Sequence, residues 1–286
     1  MTPDTLTPNT ISPRNAGGAP ELPAARPGMV HDLGAASIDL FLGGRELYSV
    51  FVRALYYVFR GRRERGAVVR QMHAIGNQSL FFVSITMGFI GMILVYQSGI
   101  QIRRLLPDYS LLGATYLELL VRDLAASIGA LMLATRVGAG IAAEIGSMVV
   151  TEQIDALRMC AADPVDFLVV PRFLASLVMT TVLIVFGGAV AFATGAVTAR
   201  FAFDVPVQTF CNVSLVGWGD VVTGLAKCVA YGAAVPIVSG HCGLSTFGGS
   251  EGVGWATTRA VVNSSLAIVI LDAVLSIASL LIFGAT

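Results

Sequence analysis

The stretch that decides the fold covers residues 173–199 and reads FLASLVMTTVLIVFGGAVAFATGAVTA, without one charged side chain. Because a helix rises 1.5 Å per residue, this stretch would be about 40 Å long, which exceeds the roughly 30 Å hydrocarbon core of a bilayer. It therefore predicts a membrane-spanning helix. Only 13% of the 286 residues are charged, and the mean hydropathy is +0.78. A soluble domain carries about 25% charged residues, so this composition excludes a soluble enzyme.

Four further apolar stretches are long enough to cross a bilayer. They cover residues 74–102, 124–150, 216–240 and 260–284. Together with residues 173–199 they predict an all-α integral membrane protein with five transmembrane helices.

The N-terminal region differs from this apolar remainder. Residues 1–36 are rich in proline and lack an apolar run, which predicts a disordered cytoplasmic tail and no cleaved leader. Residues 38–62 carry apolar side chains at helical spacing beside aromatic and basic ones, which predicts an amphipathic helix lying among the lipid headgroups. Arginine-rich segments stay in the cytoplasm, so the basic run from Arg60 to Arg70 predicts a cytoplasmic N-terminus.

The sequence shows neither a nucleotide-binding motif nor a metal-binding motif. Its only lysine, Lys227, does not fit the G-x-x-x-x-G-K-[ST] pattern that binds nucleotide phosphates, and the cysteines and histidines lack a zinc-binding spacing. The net charge of zero gives no overall attraction for nucleic acid. We therefore expect no cofactor in this chain, and energy for any transport has to come from a partner or an ion gradient.

The loop between the second and third predicted spans has the most informative pattern. Residues from about 148 to 161 predict a short helix with an apolar ridge on one face and Glu152, Asp155 and Arg158 on another. Asp163 followed by Pro164 is typical of the start of a new helix. The short helix could dock into a groove of a soluble partner and transmit its motion, or it could lie on the headgroups as a connector.

Three blocks of the sequence resemble a known family. They are residues 88–94 with Gln97, residues 136–157 continued by Asp163-Pro164 and Pro171-Arg172, and residues 252–262 followed by Leu271-Asp272. In order and spacing these blocks resemble the MlaE family of lipid-transporter permeases, which includes the YrbE proteins of Mce systems. The resemblance extends over roughly residues 40–286 and predicts one permease domain over residues 37–286.

This resemblance implies an ABC transporter of the bacterial inner membrane whose permease is a homodimer. Two separate ABC ATPase subunits would hold ATP and magnesium, and a periplasmic MCE-domain protein would bind the substrate. The cargo would be a phospholipid or a related lipid held between the two permease copies. The loop helix would be the coupling helix that contacts the ATPase, through Glu152, Gln153, Ile154, Asp155, Leu157 and Arg158.

Two groups of residues are candidates for the lipid path. Leu94, Gln97 and Ile102 match the region that lines the lipid cavity of the family, with ordinary helix packing as the alternative. Arg122 and Asp123 point about 100° apart on a helix, so they either pair with other segments or line the cavity. Arg122 could donate two hydrogen bonds to a lipid phosphate, or it could extend to the outer interface.

Four charged residues lie inside predicted spans, where an unpaired charge costs at least about 2.5 kcal/mol. Arg136 and Glu144, two turns apart, are expected to form buried pairs with other helices. Lys227 and Asp272 both lie mid-span, and we expect them to pair with each other. The alternative is a proton relay through these charges, which would suit an ion-coupled secondary transporter of a hydrophobic solute.

The chain departs from the family pattern in two cytoplasmic loops. Cys160-Ala161 stands at the end of the loop helix where the family usually carries Met-Gly. Trp255 stands where an arginine is common, so a contact made by that arginine is not expected here.

Overall fold

The computed structural model describes residues 44–58, 65–105 and 111–284. The chain divides into two compact units, Met1–Arg45 and Glu46–Thr286, and of the first unit only the two residues that begin a helix are described. The predicted tail, residues 1–36, therefore lies outside the described residues, as do both ends of the predicted helix 38–62. Within the described ranges the regular structure is helical, without a strand.

Ten α-helices and three short π-helical turns occur in these ranges. The α-helices are α1 (44–58), α2 (Arg65–Leu105), α3 (Leu112–Leu119), α4 (Ala125–Leu133), α5 (Ala139–Val150), α6 (Gln153–Met159), α7 (Val170–Phe203), α8 (Val207–Phe210), α9 (Trp218–Leu244) and α10 (Gly249–Phe283). The π turns cover Leu120–Leu124, Ala134–Gly138 and Val165–Val169.

Five segments are long and apolar enough to cross a membrane, which confirms the predicted five-span, all-α architecture. They cover Gly66–Arg103, Leu112–Val150, Val165–Phe203, Trp218–Leu244 and Gly249–Phe283. The second span is composite, because two π turns join α3, α4 and α5. The first π turn contains Arg122 and Asp123, and the second contains Arg136. Single π turns are frequent at functional sites, so their position directs attention to these charges.

Small residues allow α2 and α7 to approach closely. A Cβ atom added at Gly91 would lie 2.2 Å from the carbonyl oxygen of Ala191, so only glycine fits there. Nearby, the hydroxyl of Thr194 donates to the carbonyl of Gly88 at 2.9 Å. Close contact through small residues and interhelical hydrogen bonds is how helices associate where lipid removes the hydrophobic driving force.

The remaining spans surround α9, which contacts α4, α5, α7 and α10. α1 packs one face against this body, with Val50 buried beside Phe173 and Ile237, while its Tyr48 and Tyr56 are exposed. α10 leaves most of its apolar side chains exposed, as expected of a helix that faces lipid or another membrane helix.

Candidate functional site

The loop helix is present and shorter than predicted. Residues 148–150 continue α5, and α6 covers only Gln153–Met159 instead of 148–161. The cause lies in the backbone, because Glu152 (φ 59°) and Ala161 (φ 56°) adopt the left-handed conformation and so bound the right-handed helix at both ends.

α6 has the two faces that its pattern predicts. Ile154 is 3% exposed and belongs to the hydrophobic core, and Leu157 packs against the same core. The side chains on the other face are exposed: Glu152, Gln153, Asp155 and Arg158. Arg158 and Asp155 form an ion pair at 3.2 Å, but an exposed pair of this kind contributes little to stability. These charges are therefore free to contact a partner.

Asp163 organises the end of the loop. Its Oδ1 accepts a hydrogen bond from the backbone N–H of Val165 at 2.9 Å, with Pro164 as the first helical residue, so the predicted helix start is present. Its Oδ2 accepts a hydrogen bond from the hydroxyl of Tyr57 in α1 at 3.1 Å. This hydrogen bond, and repulsion between the carboxylate and a phenolate, raise the pKa of Tyr57. The neutral hydroxyl therefore persists at physiological pH and connects α1 to the loop.

An ion pair between a buried arginine and a half-exposed glutamate joins the two helices that flank the loop. Arg172 of α7 is 4% exposed, and its Nη2 lies 2.9 Å from Oε2 of Glu144 in α5. The expected pairing of Glu144 with another helix is thus present, although its side chain is 49% exposed and not buried as predicted. In the sequence Arg172 belongs to the Pro171-Arg172 pair of the second resembling block, and its position directly after Pro171 at a helix start is the only signal for its role.

Lys227 lies at the centre of a polar network between the second, fourth and fifth spans. Its side chain is 1% exposed, and its Nζ lies 2.5 Å from Asp123 Oδ1 and 2.8 Å from Asp272 Oδ1. It also donates to the hydroxyl of Ser276 at 2.8 Å. The predicted contact between Lys227 and Asp272 is present, and Asp123 is a second partner that the sequence did not identify.

The network also contains hydroxyl donors, and one side of it is accessible through its carboxylates. Tyr231 donates to Oδ1 of Asp272 at 2.6 Å, and Ser127 donates to the same oxygen at 3.0 Å. Tyr231 is fully buried, whereas the side chains of Asp123 and Asp272 are 44% and 27% exposed. A carboxylate exposed inside a membrane span needs water or a polar group beside it. The open side of the network can therefore receive water or a lipid headgroup.

Arg122 and Asp123 contact different turns of the same helix. Arg122 Nη1 lies 3.7 Å from Asp220 in the first turn of α9, whereas Asp123 contacts Lys227 two turns further along. Arg122 remains partly exposed at this distance, so some of its five N–H donors are available to a ligand.

The three candidate residues of α2 have different environments. Leu94 and Ile102 are partly buried and pack against the hydrophobic core, while Gln97 is exposed. These surroundings differ from those of Arg122 and Asp123, whose side chains contact charged residues of α9.

Arg136 differs from its prediction of a buried pair. It is half-buried, and its Nε and Nη2 donate to the backbone and side-chain oxygens of Gln78 in α2 at 2.9 and 3.2 Å. The reason is that Arg136 and Glu144 both line a cavity of about 330 Å³ bounded by residues of α2 and α5, which leaves their side chains accessible.

Across the described ranges no group of three His, Cys, Asp or Glu side chains is placed to hold a metal ion.

Comparisons with known proteins agree with one another. Residues 68–278 match the family model described as permease MlaE. The chain is 37% identical over 225 residues to a probable ABC transporter permease protein of Synechocystis, covering 77% of this chain and 84% of that protein. It is 34% identical over 260 residues to the intermembrane phospholipid transport system permease protein MlaE of Haemophilus influenzae, covering 88% and 97% of the two chains.

Proposed function

This chain belongs to the MlaE permease family, and we propose that it forms the lipid path through the membrane while a separate ATPase supplies the energy. The chain is the permease subunit of an ABC-type lipid transporter and a multi-pass membrane protein. The observation that carries this conclusion is the family match over residues 68–278, which include α6 and the network around Lys227. The Haemophilus relative is named for intermembrane phospholipid transport, which supports phospholipid as the cargo.

Energy enters through α6 from a separate ATPase that holds ATP and magnesium. In support, Ile154 anchors α6 to the core while a face of mixed charge stays exposed, and Met159 at the end of α6 is 89% exposed. Charged rims set the orientation of a protein contact, and an exposed apolar side chain at its centre supplies affinity. The only lysine of the chain contacts two carboxylates and is therefore not placed to bind a nucleotide phosphate, which supports a separate ATPase.

The lipid path lies on the open side of the network around Lys227. Arg122 would hold the headgroup phosphate, and Leu94, Gln97 and Ile102 would contact the remainder of the lipid. A second copy of the chain completes this path. A periplasmic MCE-domain protein exchanges lipid with the path, and no nucleic acid takes part.

The transporter lies in the bacterial inner membrane with its N-terminus in the cytoplasm. The arginines that precede and begin α2 support this orientation, since basic segments remain on the cytoplasmic side. With five spans, α6 then lies on the cytoplasmic side, where an ATPase can reach it.

Reconstitution tests this proposal. The chain is incorporated into liposomes with its ATPase and MCE-domain partners, and transfer of a fluorescent phospholipid is followed with and without ATP. Asp155→Lys reverses a charge on the exposed face of α6 and should lower ATP-dependent transfer about tenfold, which corresponds to 1.4 kcal/mol of lost contact. Asp204→Lys is the matched control, because Asp204 is also an exposed acid paired with an arginine, but at the other end of α7, and its reversal should leave transfer unchanged.

Two results would contradict the proposal. One is lipid transfer that requires a proton gradient and not ATP, which would favour an ion-coupled secondary transporter using Lys227 and Asp272. The other is full ATPase association and wild-type transfer in the Asp155→Lys complex.

A further inference from the structure

The loop that contains α6 connects α5 to α7, and one ion pair joins these two helices. Glu144 lies two turns before the end of α5, and Arg172 lies in the first turn of α7. Nε and Nη2 of Arg172 lie 3.3 and 2.9 Å from the same oxygen of Glu144. The loop is therefore closed at its base by side chains as well as by the chain itself.

Arg172 has little freedom in this arrangement. Its guanidinium is permanently charged, it is almost fully buried, and its Nη1 donates to the carbonyl of Leu168 at 2.7 Å. Leu168 belongs to the π turn that follows the loop, so one side chain contacts α5, α7 and this turn. Because a buried charge without its partner is strongly unfavourable, Arg172 stays bound to Glu144 when the surrounding helices shift.

Glu144 is the more exposed member of the pair. Its carboxylate faces a cavity of about 520 Å³ that Arg70 and Asp166 also line. Both donors of Arg172 contact Oε2 of Glu144, so the carboxylate can turn toward the cavity while one oxygen keeps its contact. The pair therefore tolerates a change in angle between α5 and α7 but resists their separation.

α6 is attached to the body by few other contacts. Ile154 is its only fully buried residue, and the hydrogen bonds of Asp163 hold the far end of the loop. A force applied to the exposed face of α6 reaches the spans through these points and the chain on either side. Without the ion pair, α5 and α7 could respond separately.

We propose that Glu144 and Arg172 are positioning residues that make α5 and α7 move together when an ATPase displaces α6. This inference rests on the proposed function, in which α6 receives that displacement. This role requires neither residue to touch nucleotide or lipid. The pair determines how much of each ATP-driven displacement becomes lipid movement.

The test measures lipid molecules transferred per ATP hydrolysed by the reconstituted complex with its ATPase and MCE-domain partners. Glu144→Gln keeps the shape of the side chain and removes its charge, and we expect the ratio to fall about fivefold, within the range seen for mutations between coupled sites. Glu144→Asp, which keeps the charge, should recover part of the loss. Asp204→Asn is the matched control, since it removes the acid of an exposed ion pair at the other end of α7 and should leave the ratio unchanged.

A purely structural role would reduce the amount of folded complex without changing this ratio. Should Glu144→Gln fail to fold, Glu144→Leu combined with Arg172→Leu removes both charges together, a replacement that is often tolerated where a single one is not. A wild-type ratio in either the single or the double variant would overturn the inference. If the unmodified complex transfers lipid without ATP, the proposed function itself fails, and that result is distinct from an unchanged ratio.

Discussion

Replacing Lys227 with methionine tests whether the polar network holds three spans together. Methionine keeps an unbranched side chain and removes the charge, so Asp123 and Asp272 lose their shared partner. Their oxygens lie no more than about 5 Å apart, because one nitrogen contacts them at 2.5 and 2.8 Å. At an effective dielectric constant of about 20, two like charges at that distance repel by about 3 kcal/mol.

Two features of the site reduce this cost. Both carboxylates are partly exposed, so solvent screens them, and the hydroxyls of Ser127 and Tyr231 still donate to Asp272. Breaking a fully buried ion pair costs about 3–5 kcal/mol, and for this half-open one we expect about 2 kcal/mol. A loss of that size lowers the unfolding midpoint by about 4–8 °C in a chain of this length.

The assay is thermal unfolding of the purified chain in detergent, followed by the fraction that remains monodisperse after heating. Arg200→Met is the matched control, because it breaks an exposed ion pair with Asp204 and should cost less than about 0.5 kcal/mol. Adding Asp272→Asn to Lys227→Met removes the repulsion and should recover about half of the lost stability. A wild-type midpoint for Lys227→Met, or a double variant no more stable than the single one, would refute this reasoning.

Three further perturbations are measured by the same unfolding assay. Ala161→Gly should stabilise the chain by about 1 kcal/mol, since glycine adopts the left-handed conformation without a Cβ clash, whereas Ala162→Gly, outside that region, should destabilise it. Gly91→Ala should cost about 1–3 kcal/mol because its Cβ meets the α7 backbone, while Gly140→Ala, with open space around it, should be neutral or stabilising. The hydrogen bond to Asp163 raises the pKa of Tyr57 above its ordinary value of 10.0. This hydrogen bond therefore stabilises the fold fully below pH 10.0, and the stabilisation is lost as the pH rises through the raised pKa. Tyr57→Phe should remove this alkaline dependence.

The parts of the structure that the sequence predicts well depend on local patterns. The five spans follow from long runs without charge, and the start of the third span follows from Asp163 and Pro164. The two faces of α6 follow from helical spacing, because residues three or four positions apart lie on the same face of a helix whatever surrounds it. Each of these features is decided within a few turns of helix.

The parts that it misses depend on residues far apart in the chain. Lys227 contacts Asp123 across 104 positions, and Arg172 contacts Glu144 across 28. No periodicity reports such pairings, since they follow from how whole spans pack. From the sequence, Arg172 is an arginine at the end of a span, and such a side chain usually extends to the headgroups. In the structure it is buried instead, because the carboxylate of Glu144 on a neighbouring helix compensates its charge.

The extent of α6 shows how tertiary contacts override a local pattern. The apolar spacing continues without interruption from residue 148 to residue 161, which favours one helix over the whole stretch. The structure instead places Glu152 and Ala161 in the left-handed conformation, at a cost of about 1–2 kcal/mol each. At Ala161 the family usually carries glycine, which would avoid that cost. Local hydrogen bonds offset part of it, including the one that the N–H of Ala162 donates to the carbonyl of Leu157 at 3.1 Å. The burial of Ile154 and the ion pair of Arg172 add attachments to the spans. The loop therefore combines a shape fixed by its own hydrogen bonds with attachments to the spans, and a segment that transmits displacement requires both.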